Sequence, residues 1–219
     1  VRRAEESGYQ AICLTVDTPV PSPKERDVRN RFVSPFKRGN FTGMEAASGD
    51  EETPNWLRTG VPPLTWKDLD WLRSLSALPL VLKGIRTAED ARLAMDHGVE
   101  GILVSNHGGR QMDMTLSSIE TLPEIVDAVD GRAEVYMDSG IRRGSDVLKA
   151  LALGARAVAI GRPFYWGLAV DGADGVHGVL EILRVELYRA LAYCGVTAVR
   201  DLRPGLVSIP QGWGVGTVR

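Results

Sequence analysis

The sequence predicts an α/β fold built on parallel strands, and three observations carry that prediction. Short apolar runs rich in strand formers recur along the chain. Amphipathic stretches of helical spacing separate them, which is the signature of repeated strand–helix units. Each apolar run ends in a polar or charged residue, and in a barrel those ends share one mouth.

The elements follow in order. Val1 to Gly8 reads as a helix stopped by glycine. Ala11–Val16 is the first strand and runs into Asp17-Thr18-Pro19. From Pro19 to about Pro63 the periodicity is lost, and 37–60 is expected to be a mobile surface loop. Helical spacing returns in Trp66, Leu69, Leu72 and Leu75, with Thr65 and Asp68 placed to cap. The two tryptophans, Trp66 and Trp71, are expected to pack in the core or an interface. Leu80–Gly84 is a strand ending in Lys83-Gly84. Thr87 caps a helix that stops at Gly98. Gly101–Val104 is a strand, and Ser118–Val129 a helix whose Pro123 is assigned to a tolerant early position. Glu134–Asp138 and Ala157–Ile160 are strands, with a helix over 144–153 between them. A last helix runs to about Cys194, broken near Gly172 to Gly178.

An open doubly wound sheet and a (β/α)8 barrel both fit this alternation. Polar ends on every strand favour the barrel, because an open sheet concentrates them at one switch point. A complete barrel takes about 250 residues and eight strands. Five strands in 219 residues therefore predict the C-terminal five strands of a single barrel domain over 1–219. Val1 opens inside a helical pattern, so an N-terminally incomplete chain is expected, poorly stable or inactive alone.

Composition narrows the function classes. Apolar residues make up 44% and charged ones 25%, with a formal charge of -2. That is an ordinary globular balance with no electrostatic case for nucleic acid or an anionic membrane. No apolar run reaches the ~20 residues that span a bilayer. Cys13 and Cys194 lack metal-ligand spacing, and their apolar or small neighbours predict buried, reduced thiols in a cytoplasmic protein.

The chemistry centres on Val104-Ser105-Asn106-His107-Gly108-Gly109-Arg110-Gln111. Histidine exchanges a proton near neutral pH, and arginine grips a carboxylate with a planar fork. Together they suggest proton abstraction from a small carboxylic acid. A lone histidine in a glycine turn is more often packed or solvated than catalytic, so the other strand ends must support it. Asp17 is either a turn cap or the partner of that histidine. Ser139-Gly140-Ile141-Arg142-Arg143-Gly144 and Gly161-Arg162-Pro163 end consecutive strands. Their glycines, arginines and helix N-termini predict a phosphate-bearing cofactor or substrate.

These segments, with Leu14–Pro19 and Leu82-Lys83-Gly84, resemble the FMN-dependent α-hydroxy-acid dehydrogenase and oxidase family. That family includes glycolate oxidase, lactate oxidase, mandelate dehydrogenase and flavocytochrome b2. The resemblance implies a (β/α)8 barrel, an FMN cofactor, a homotetramer, and oxidation of a small L-2-hydroxy acid to its 2-oxo acid. It implies that His107 is the base, paired with Asp17, and that Arg110 holds the substrate carboxylate. Lys83 would stabilise the reduced flavin, and Thr15 and Ser105 would hydrogen-bond its ring. Asp138 would hold the ribityl chain, with Gly140, Arg142, Gly161 and Arg162 near the phosphate. Lys24 stands where the family usually has a substrate-binding arginine. Ser139 stands in place of a common glycine, read as a minor change.

The electron acceptor stays open among oxygen, a quinone and a cytochrome. Two alternatives remain: a non-redox barrel lyase or isomerase acting on a phosphorylated substrate through Lys83, and an inactive fragment.

Overall fold

Two periodicities build the molecule. Alternation along each strand separates an apolar face from a mixed one, and helical spacing gives the intervening segments one apolar stripe. In a computed structural model, which describes residues 1–20, 22, 24–32 and 63–210, five strands form one sheet. They are β1 (Ile12–Thr15), β2 (Leu80–Ile85), β3 (Gly101–Val104), β4 (Glu134–Met137) and β5 (Ala157–Val158). All neighbours pair in parallel in the order β1-β2-β3-β4-β5. This is the five-strand arc of a (β/α)8 barrel. The loop expected over 37–60 lies outside the described residues.

The helices are α1 (Arg2–Glu6), α2 (Glu25–Arg29), α3 (Lys67–Leu75), α4 (Ala88–Asp96), α5 (Ser118–Val129), α6 (Gly144–Ala152) and α7 (Arg162–Tyr193). Leu80, Leu82, Ile102, Val104, Val135 and Met137 project from one face of the sheet and are almost wholly buried. They join Ala91 and Ala94 of α4, Leu122 and Ile125 of α5, and Ala150 of α6 in one core. Burying each large side chain contributes about 1.5–3 kcal/mol.

Local chemistry sets the helix ends. Thr87 accepts from the Asp90 N–H at 3.2 Å, as its position predicts. Ser117 and Glu120 form a capping box on α5, which holds the β3–α5 loop at its far end. At α3 the cap runs the other way: Asp68 accepts from Thr65 N at 2.6 Å and from Thr65 Oγ1 at 2.9 Å. α7 is two helices, because Asp171 and Gly172 leave helical backbone (φ -152° and +53°). The break falls at the start of the expected glycine-rich stretch. At Gly144 an added Cβ would collide with the Glu186–Leu187 backbone, so the lack of a side chain lets α7 lie on the start of α6. Gly144 N donates to Glu186 Oε2 at 2.8 Å across that contact.

Four expectations need correction. Pro123 lies inside α5, beyond its first turn, and the helix continues through it. β5 is only two residues long: Ala159 N still donates to Met137 O at 2.9 Å, but strand pairing ends at Val158. Trp71 is 62% exposed on α3, so the core half of the core-or-interface expectation fails for it, whereas Trp66 packs against the core and stacks on His97 with ring centroids 5.2 Å apart. Cys13 is exposed and Cys194 half-buried, so neither is a buried thiol. Cys13 belongs to the mixed face of β1, which the α4–α6 layer does not cover.

Candidate active site

Alternation puts the functional groups on that mixed face. Thr15 pairs in register with Lys83, and Lys83 with Leu103. Continuing two residues at a time brings Asp17 and Ser105 to the same side, as it brings Asp138 beyond Tyr136. The ends of four neighbouring strands thus converge by backbone geometry alone.

Asp17 and His107, ninety residues apart, meet there. His107 Nδ1 lies 3.2 Å from Asp17 Oδ1 and 3.3 Å from Oδ2. The Asp17 side chain is 10% exposed and that of His107 33%. A carboxylate only accepts, so Nδ1 carries the proton and donates. That leaves the Nε2 lone pair as the basic position, with a negative charge behind the ring to stabilise an imidazolium. The approach of Asp17 requires Gly84. At φ +109°, a Cβ on residue 84 would stand 2.6 Å from the Asp17 Cβ.

The turn that carries His107 is tightly bonded. His107 has a left-handed φ of +56°, a conformation that costs a non-glycine residue about 1–2 kcal/mol. Three groups hold it in place. His107 N donates to Ser105 Oγ at 3.0 Å, Gly108 N to Asn106 Oδ1 at 3.0 Å, and Gly108 N also to Ser139 Oγ at 2.9 Å. Ser118 Oγ accepts from Asn106 N at 3.1 Å. Asn106, Ser118 and Ser139 were not assigned these roles from sequence. Asn106 and Ser118 follow a strand and open a helix, places where such side chains often cap backbone.

Lys83 forms the second cluster. Its ammonium lies 3.2 Å from Asp138 Oδ2 and donates to Ser105 Oγ at 3.0 Å. An ion-paired ammonium is a poor start for a Schiff base, which disfavours the lyase alternative. Asp138 is therefore already engaged by Lys83, and its other oxygen accepts from Ser139 Oγ at 2.7 Å.

The remaining candidates gather less closely. Arg162 Nη2 donates to Gly108 O at 3.1 Å, linking the end of β5 to the histidine turn. Arg142 instead lies over the Trp166 ring, 4.5 Å from its centroid. Arg110 is exposed, and among the described residues nothing pairs with its guanidinium. Its carbonyl accepts from Ser22 Oγ at 2.6 Å, so the segment holding Lys24 runs beside it. Lys24 itself is exposed at the start of α2.

A phosphate cradle is present in outline. Gly140 (φ +79°) and Gly161 each face open space within 4 Å. No side chain caps the start of α7 behind Gly161, so its first N–H groups are available to an anion. Gly140, Arg162 and Gly108 also border a cavity of about 480 Å³ that continues to Ser118, Lys149 and Pro210. These features fit a phosphate-bearing cofactor. No group of three or more His, Cys, Asp or Glu among the described residues is arranged to hold a metal ion.

The parallel barrel arc thus carries a carboxylate-backed histidine, a strand-end lysine and glycines that leave room for a phosphate-bearing cofactor. Residues 1–209 match the family described as FMN-dependent dehydrogenase, and the chain belongs to that family. It is 50% identical over 210 residues to an L-lactate oxidase of Nostoc sp. (strain PCC 7120), covering 92% of this chain and 58% of that protein. It is 48% identical to 2-hydroxyacid oxidase 1 of Mus musculus, covering 94% and 59%. A peroxisomal (S)-2-hydroxy-acid oxidase of Oryza sativa subsp. japonica is also 48% identical, over 92% and 57%. Among solved structures, mandelate oxidase with (S)-2-phenylpropionate superposes with a TM-score of 0.78 at 46% identity, over 92% of this chain and 56% of that one. The chain thus spans less than two thirds of the length of these relatives.

Proposed function

We propose that the protein oxidises a small L-2-hydroxy acid of the lactate or glycolate class to its 2-oxo acid, with FMN as cofactor. The observation that carries this reading is the Asp17–His107 pair, with Nε2 left basic, on the face that also bears Lys83.

The residues divide the work. Asp17 fixes the imidazole tautomer and stabilises the positive charge that forms when Nε2 takes the substrate proton. Arg110 grips the substrate carboxylate, and Lys24 supplies a further positive charge at that side. A point charge replaces the usual planar fork there. Thr15, Ser105 and Lys83 would hold the flavin ring, and the remaining acceptor capacity of Asp138 the ribityl chain. Gly140, Arg142, Gly161 and Arg162 would hold the phosphate, with Arg142 leaving Trp166 to do so. FMN, when bound, would supply the redox chemistry, taking up the two electrons and the second hydrogen that the hydroxy acid loses. Lys83 would place a positive charge beside the ring and stabilise its reduced, negatively charged form.

Oxygen is the electron acceptor in this reading, supported by relatives named as oxidases. A cytoplasmic homotetramer completes it. Exposed Tyr165, Trp166, Leu168 and Val170 on α7 give an apolar surface suited to subunit contact.

Anaerobic mixing of the FMN-loaded protein with L-lactate or glycolate tests the reading through flavin absorbance. Bleaching is expected, and H107Q should slow it by about 10²- to 10⁴-fold. A flavin left oxidised by every 2-hydroxy acid tried would sink the proposal.

A further inference from the structure

Ser139 holds a conformation that serine does not favour. Its φ of +72° lies in the left-handed region, which suits the glycine common at this place. A side chain kept there at a cost calls for a compensating contact, and Ser139 makes two. Its hydroxyl donates to Asp138 Oδ1 at 2.7 Å and accepts from Gly108 N at 2.9 Å. Asp138 Oδ2 lies 3.2 Å from Lys83 Nζ, Lys83 donates to Ser105 Oγ, and Ser105 accepts from His107 N. The bonds therefore close a ring through the ends of β2, β3 and β4, with the His107–Gly108 peptide as one side.

Without Ser139 that ring is open at the β4 side. Among the described residues the imidazole itself is anchored only to Asp17, at distances on the long side for a charge-assisted hydrogen bond. The backbone turn must supply the rest of its placement.

We propose that Ser139 is a positioning residue for His107, and that its hydroxyl locks the His107–Gly108 turn to Asp138. The inference rests on the reading of His107 as the base. It also reverses the sequence-based expectation that serine for glycine at 139 is minor: the hydroxyl is part of the machinery that aims the base.

Two variants separate this role from plain stability. S139G removes the hydroxyl and relieves the backbone strain, so its Tm holds or rises. S139A removes the hydroxyl and keeps the strain, so its Tm falls. Both should slow anaerobic flavin reduction by the same factor, about 3- to 10-fold for one lost hydrogen bond. The Kd for FMN and the KM for the hydroxy acid should move by less than that factor. In both, the Gly108 amide should exchange hydrogen faster than in the unaltered protein.

Reduction rates that follow Tm, with S139G at the unaltered rate, would overturn the proposal. So would unchanged exchange at Gly108. If no hydroxy acid reduces the flavin of the unaltered protein, the proposed activity fails, and Gly108 exchange alone then upholds or rejects the lock.

Discussion

The two faces of the sheet differ in nearly every respect, although the same residues' neighbours build both. On the helix-covered face Leu82, Ile102, Val104 and Met137 are at most 1% exposed, and every large side chain is apolar. On the other face Cys13 is exposed, and Thr15, Val81, Lys83, Leu103 and Tyr136 are half-buried. That face carries the hydroxyls and charges. Stability is concentrated on one side of each strand and chemistry on the other, one residue apart. A one-residue slip of any strand would exchange them, which is why the register must be held so firmly.

Substitutions on the two faces should separate accordingly. Ile102→Ala removes a fully buried side chain and should cost about 2–5 kcal/mol in urea unfolding. Leu103→Ala, its neighbour on the open face, should cost less than half as much. Equal losses would erase the distinction between the faces.

Gly84→Ala tests the point where both demands meet. The new Cβ enters at φ +109° against Asp17, and should cost about 1–3 kcal/mol. Because Asp17 must move, flavin reduction should slow even in the folded fraction, whereas Ile102→Ala should spare it. Stopped-flow absorbance on matched folded fractions distinguishes the two.

The smallest effect is electrostatic, at the rim away from the site. Burial pushes the Glu100 carboxyl upward, but hydrogen bonds from Arg73 and the Leu80 N–H, with the Arg73 charge, hold it below its ordinary 4.5. A depressed folded pKa stabilises the fold above about pH 4.5, and that contribution is lost as pH falls through the lowered value. The Glu100 side chain is 47% exposed, so solvent screening keeps the effect below about 1 kcal/mol. Unfolding of E100Q and the unaltered protein should differ more at pH 7 than at pH 3. A gap that widens on acidification would reverse the sign.

What the sequence disclosed follows from range. The strands, their polar ends and the Thr87 cap were legible because each depends on residues a few positions apart. The residues left Asp17 open between a turn cap and a partner of His107, and only the family resemblance chose the pairing, since nothing local connects them. The bonds of Ser139 to Gly108 and of Ser118 to Asn106 cross between neighbouring loops. A hydroxyl in a sequence does not disclose which distant amide it will meet. Cys13 was misplaced for a related reason. Apolar neighbours predict burial only when both faces of a strand are covered, and five strands of a barrel leave the inner face open in this chain.

The consecutive strand order also bears on how the fold assembles. β3, β4 and β5 each follow their neighbour after a single helix, so every closure among β2 to β5 joins nearby segments. β1 is the exception, because Thr15 must find Lys83 across the longest connection in the sheet. Each doubling of such a span adds about 0.6 kcal/mol of closure entropy. Loop-closure entropy alone thus favours pairing among β2 to β5 before β1 docks, and pulse-labelled hydrogen exchange should protect the β3 amides before those of β1. On that order Asp17 reaches His107 only after the turn that carries the histidine has formed.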